Sequence, residues 1–113
     1  MSLTGDRAEI AAALSTVDGV NGYEYRPTVP RPGDAWPTLP TLDLEEGLVW
    51  RATWTVNVFL PQEERAASVW IDAHFLAIVT ALRVPGFADK AEPALMPAAG
   101  GDQYVLEITM RSE

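Results

Sequence analysis

Apolar and polar side chains alternate without a break from Leu48 to Leu60. Leu48, Trp50, Ala52, Trp54, Val56, Val58 and Leu60 fall on one side, and Arg51, Thr53, Thr55 and Asn57 on the other, flanked by Val49 and Phe59. This period-two pattern predicts a half-buried antiparallel strand. At about 3.3 Å per residue such a strand extends roughly 40 Å, whereas a compact domain of this chain length is only about 34 Å across. The strand must bend strongly, or one end must project from the domain body.

The pattern then changes period. Pro61-Gln62-Glu63-Glu64 opens a helix expected to run to about Arg83, with proline in the first turn and two glutamates matching the helix dipole. Ala67, Ile71, Phe75, Ile78 and Leu82 recur at helical spacing and form the stripe that should cover the sheet. Val69, Ala73 and Leu76 cluster on the opposite side, where a solvated face ought to be polar. A helix apolar on both sides is buried on both sides. In a small chain the second cover is expected from another subunit.

The remaining elements are shorter. Asp6 and Glu9 have capping-box spacing ahead of Ile10, Leu14 and Val17, so a first helix is expected over 6–17, closed by Asp18-Gly19. Tyr23-Glu24-Tyr25-Arg26 reads as a short strand. Residues 27–40 hold five of the nine prolines and predict an extended, largely unpaired segment, too long to be structureless without a purpose. Within it Trp36 could lid its own core, but docking onto a partner is the expectation, with Arg31 and Asp34 beside it. Together with Val69, Ala73 and Leu76 they make the candidate interface set. Pro85-Gly86 breaks the second helix, and Phe87–Met96 is a poorer strand that Pro93 assigns to an edge or bulge. Residues 98–102 form a hairpin turn. Tyr104, Leu106, Ile108 and Met110 then alternate with Gln103, Val105, Glu107, Thr109 and Arg111 in a final strand. The order is α-β-β-α-β-β, with one further short strand possible near Leu39–Leu44. Two helices on a mostly antiparallel sheet make a single α+β domain over residues 1–113.

Composition narrows the chemistry. A chain of 113 residues without cysteine forms no disulfide, thiolate metal site or cysteine nucleophile. The start lacks the basic-then-apolar order of a signal peptide, and no apolar run reaches the roughly 20 residues of a membrane helix. A product made in the cytoplasm, with no membrane partner, is expected. The formal charge of −8 disfavours direct binding to phosphate backbones. His74 is the sole histidine, so no two-histidine metal site can form in one chain. It lies at the margin of the core stripe and reads as a packing residue. Ser68 lies outside any nucleophile turn, and Asp72 points away from His74 on the same helix. Gly100-Gly101 lacks the spacing of a phosphate loop. The pairs Glu45-Glu46 and Glu63-Glu64 read as loop charge and helix-start charge. No catalytic, cofactor or metal residue is expected, and the chain does not read as an enzyme.

One family resemblance spans nearly the whole chain. The run from Phe59 through Leu60-Pro61-Gln62-Glu63-Glu64-Arg65 to His74 resembles the strand-to-helix junction of tail terminator proteins from long-tailed actinobacterial phages. Ala11-Ala12-Ala13-Leu14 followed by Gly22-Tyr23-Glu24-Tyr25-Arg26-Pro27 is similar to the opening of those proteins, and Gly100-Gly101-Asp102-Gln103-Tyr104 with Arg111-Ser112-Glu113 to their close. The resemblance implies a virion protein of the tail or neck, forming a ring of typically six copies. Such a ring caps the completed tail tube, stops polymerisation of the major tail tube protein and joins the head connector, while DNA passes through without specific binding. Two alternatives stand beside it. One is a head-side neck protein. The other is a small homodimeric ligand-binding domain using Trp50, Trp54 and Trp70 as an aromatic pocket.

Overall fold

The computed structural model describes residues 2–98 and 100–112. Met1, Ala99 of the expected 98–102 turn, and Glu113 lie outside the described residues. Among these, α1 (Leu3–Leu14), β1 (Asn21–Gly22), β2 (Asp34–Pro37), β3 (Thr41–Glu45), β4 (Val49–Phe59), α2 (Glu64–Ala81), β5 (Gly86–Met96) and β6 (Gln103–Ser112) follow in that order. The chain is an α+β domain with both helices on one face of a mostly antiparallel six-stranded sheet. The strand order is β1-β2-β4-β6-β5. Both β2 and β3 lie along the same edge of β4, β2 against residues 56–58 and β3 against residues 49–53. Only β1 and β2 run parallel.

The helix caps explain two boundary differences from the sequence reading. The Ser2 hydroxyl accepts from Gly5 N at 3.1 Å, so α1 starts ahead of the Asp6–Glu9 spacing and Asp6 falls within its first turn. For α2 the cap is Glu63, whose carboxylate accepts from Arg65 N at 3.1 Å and Ala66 N at 2.8 Å. Pro61 therefore precedes the helix instead of opening it. Gln62 pins the junction: its amide nitrogen donates to Leu60 O at 2.6 Å and Tyr104 O at 3.1 Å, and its amide oxygen accepts from Tyr104 N at 2.8 Å.

Two segments were expected otherwise. Tyr23–Arg26 is not a strand, because the Arg7 guanidinium draws the Glu24 carbonyl away at 2.7 Å and the chain bends over α1. The proline-rich stretch, expected to be extended and not paired throughout, does pair over four residues, contributing β2 to the sheet interior. Pro37 lacks an N–H, but the ladder resumes at once, with Thr38 N donating to Thr55 O at 2.9 Å. The expected strand near Leu39–Leu44 is β3, and β5 is an edge strand with a register shift between Ala88 and Lys90, as Pro93 implied.

The core lies between helices and sheet. Ile10 and Leu14 of α1, Ile78 of α2 and Leu82 at its C-cap meet Trp54, Val56, Val58, Ile108 and Met110. Each large apolar side chain so buried contributes about 1.5–3 kcal/mol. The opposite sheet face is mainly polar, with Thr55, Asn57, Glu107 and Thr109 across β4 and β6. One end of it carries a second cluster of Trp36, Phe59 and Val105.

Candidate assembly surfaces

The outer side of α2 is apolar and bare. The inward stripe is placed as its spacing predicts, with Ala67 and Ile78 buried and Ile71 and Phe75 packed on the core. At 100° per residue, Arg65, Val69 and Leu76 fall within about 40° of one another on the far side, with Ala73 and Thr80 beside them. Val69 is 62% and Leu76 76% exposed. Ala73 is too small to fill the space next to them. Together with Thr16 and Val17 after α1, it leaves a trough of about 680 Å³. The trough has mostly apolar walls and continues past Ala73 towards Val69 and Arg65.

His74 closes the floor of this trough. Its Nδ1 lies 2.8 Å from Trp70 O, and a carbonyl can only accept, so Nδ1 carries the proton and donates. The ring stacks on Trp70 at 4.1 Å, and its Nε2 edge abuts Gly19, where a Cβ would come within 2.9 Å. The imidazole is thus held against its own helix at Trp70 and packs towards the turn after α1. Ser68 Oγ donates to Glu64 O at 2.9 Å within its own helix and has no contact with His74.

The second surface is an arm. The long alternating strand projects: residues 41–51 of β3, its turn and β4 are all exposed, and the molecule measures 46 × 29 × 21 Å. Register places Leu42 opposite Ala52 and Leu44 opposite Trp50. These side chains share the face that, further along β4, is covered by the helices at Ala52, Trp54 and Val56. Along the arm, nothing of the described chain covers it. The other face carries Asp43, Glu45 and Arg51, the last two paired at 3.5 Å. At the tip, Gly47 and Leu48 both adopt positive φ, 82° and 61°. For leucine that backbone is unfavourable by roughly 1–2 kcal/mol.

The proline-rich segment is placed differently from the expectation. Trp36 is 1% exposed and sealed by Phe59, Val105, Ala94 and Met96, so it fills its own fold instead of reaching a partner. Pairing of β2 with β4 turns the ring onto the sheet. Asp34 is also buried, accepting from Arg31 N at 2.9 Å and Asn21 Nδ2 at 3.4 Å, and its task is to close the turn before β2. Arg31 remains exposed. Of the six candidate interface residues, Val69, Ala73 and Leu76 share one surface, Arg31 is exposed in the turn before β2, and Trp36 and Asp34 are interior. Nor do the tryptophans build a pocket. Trp54 is fully buried, Trp50 stands on the arm, and Trp70 packs under His74.

A residue the sequence reading missed is Arg7. Among the described residues it is buried without a carboxylate partner, and Nη1 donates to Glu24 O at 2.7 Å and Pro37 O at 3.0 Å. The Tyr25 ring lies 4.5 Å and the Trp54 ring 5.5 Å from its guanidinium carbon. A single arginine in a helix has no periodic signature. Its role shows only when the three segments it clasps are brought together.

Among the described residues, no group of three histidine, aspartate or glutamate side chains converges on a metal-sized site, and no helix is long and apolar enough to cross a membrane. Comparison of the chain with family models and with curated proteins returns no match to either.

Proposed function

We propose that this chain is a structural subunit that assembles with copies of itself into a closed ring. The ring would stand at the end of a phage tail tube, where it stops polymerisation of the tube protein and joins the tail to the head connector. The observation that carries the assembly is the pair of bare apolar surfaces, the outer side of α2 and the projecting arm. An isolated monomer gains nothing from either. Exposed patches of this kind, rimmed by charge, mark protein-protein contacts.

The surfaces differ from each other, so contact between them is heterologous, and rotation about a common axis closes a ring. The tail role and the six-fold number rest on the resemblance of the junction Phe59–His74 and of the two chain ends to tail terminators. Acid charge suits a DNA passage, because it keeps a polyanion from adhering to the wall. A head-side neck protein would use the same surfaces on the other side of the joint.

The test is electron microscopy and light scattering of the purified chain with the tail tube protein. Rings at tube ends are expected. Strictly monomeric protein in the presence of tubes defeats the proposal, and rings that bind a head connector but ignore tubes favour the neck alternative.

A further inference from the structure

We infer that the apolar face of the β3–β4 arm of one copy seats on the outer face of α2 in the next copy. This rests on the reading above only in its claim that copies associate, and it is independent of any tail.

The first support is area. A compact monomer of 12.3 kDa exposes about 6,100 Å². This chain exposes 6794 Å². The surplus of about 700 Å² reflects the projecting arm, and it is of the size that one of the two patches each copy contributes to such a contact would cover, roughly 800 Å² apiece.

Shape and polarity then choose between the ways copies could meet. The arm is amphipathic, with Leu42, Leu44 and Trp50 on one side. That side continues a sheet face which in the domain body is always helix-covered. What the arm lacks is therefore a helix with an apolar face, and the outer side of α2 is one. Trp50, 56% exposed, is a bulky knob, and the trough beside Ala73 offers a socket of about 680 Å³. The strained Leu48 at the tip fits the same account. Glycine or asparagine would relieve the backbone there, and an outlier of this kind points to a task beyond folding.

Charge separates arm-on-helix from the two symmetric alternatives. Residues 41–51 carry Asp43, Glu45 and Glu46 against Arg51 alone. The α2 face has Arg65 near one end and Arg83 beyond the other, neither in an ion pair among the described residues, and one carboxylate, Asp72, between Val69 and Leu76. Arm against arm sets carboxylates together, and helix against helix offers Arg65 and Arg83 only Asp72 on that face, against three carboxylates on the arm. Arm against helix brings opposite signs to the rim, which favours the correct register and suppresses wrong ones.

The absence of native cysteine allows a direct test. Leu44→Cys and Leu76→Cys variants of the full chain are prepared separately and treated with a short bis-maleimide linker, alone and as a mixture. Both positions are exposed, so the fold should tolerate either change. The expected result is a covalent dimer in the mixture and none in either variant alone. A dimer of Leu76→Cys with itself, or of Leu44→Cys with itself, overturns the inference in favour of a two-fold contact. No dimer in any tube while light scattering shows oligomers overturns the inference and leaves self-assembly standing. No dimer and no oligomer defeats both. As an independent readout, Trp50→Ser should weaken association at least tenfold with unchanged monomer melting. Unaltered association removes the arm from the contact.

Discussion

Replacing Leu76 with glutamate places a carboxylate in the middle of the bare α2 face. In the monomer the side chain is already 76% exposed and belongs to no core cluster, so the change should alter folding by no more than about 0.5 kcal/mol. On the association proposed above the same position would be covered. Full burial of a leucine is worth about 1.5–3 kcal/mol, and three-quarters of that, about 1–2 kcal/mol, is lost when the leucine is gone. The new carboxylate adds a desolvation penalty of several kcal/mol unless a cation meets it. Each 1.4 kcal/mol is about tenfold in an association constant. The apolar loss alone should thus weaken each contact about tenfold, and with the charge a hundredfold or more. The assay compares thermal melting of dilute monomer with sedimentation at increasing concentration, for the variant and the parent. Ile78→Glu serves as the contrast, because Ile78 is fully buried and that variant should not fold. Unchanged melting with lost association is the expected pattern for Leu76→Glu. Collapse of its monomer would show that α2 is rotated relative to the sheet, and intact association would remove this face from the interface.

Other substitutions test the fold around those surfaces. Trp36→Ala should lower stability by about 3–5 kcal/mol in denaturant unfolding, as for any large core truncation, instead of acting on assembly alone. In Gly22→Ala the added methyl would collide with the Ala11 carbonyl and approach the Leu14 side chain, so a loss of about 1–3 kcal/mol is expected by the same measurement. Arg7→Lys keeps the charge but loses the reach of Nη1, which donates to both Glu24 O and Pro37 O, and the flat guanidinium beside the Tyr25 and Trp54 rings. A loss of about 2 kcal/mol is expected, and an unchanged unfolding midpoint would mean that the clasp is incidental.

Legibility in the sequence tracked periodicity. The long strand, the two faces of α2 and the closing strand each repeat a pattern over many residues, and the structure places them accordingly. That the strand must either bend or project was legible too, because an uninterrupted strand of about 40 Å cannot fit inside a body of about 34 Å, and the structure takes the second course. Where pattern was short, chemistry misled. Ala35-Trp36 sits between prolines that suggest an unpaired loop. Yet β2 needs only a few ladder bonds, and Thr38 supplies the one that Pro37 cannot. The Asp6–Glu9 spacing predicts a cap that the structure places at Ser2 instead, and that start depends on how α1 packs. Its register is tied by Arg7 reaching across to Glu24 and Pro37, a contact over 17 and 30 positions that no local window contains.

Net charge supplies the last test, because it opposes the very association that the apolar faces favour. Two copies of charge −8 with centres about 29 Å apart, the middle dimension of the molecule, repel by about 9 kcal/mol in unscreened water. Screening reduces this to about 3 kcal/mol at an ionic strength of about 0.01 M, and to about 0.2 kcal/mol at physiological salt. Against it stand the rim pairs between arm carboxylates and Arg65 or Arg83, each worth about 0–1 kcal/mol and weakened by the same salt. At low ionic strength the global repulsion wins, so adding salt should strengthen association steeply. Near physiological salt the repulsion is spent and the curve should flatten or turn down slightly as the rim pairs fade. Sedimentation across that range reads the balance directly. Association that falls steadily from the lowest salt upward would mean that charge pairing holds the copies together, and that the apolar arm and the outer face of α2 are not the main contact.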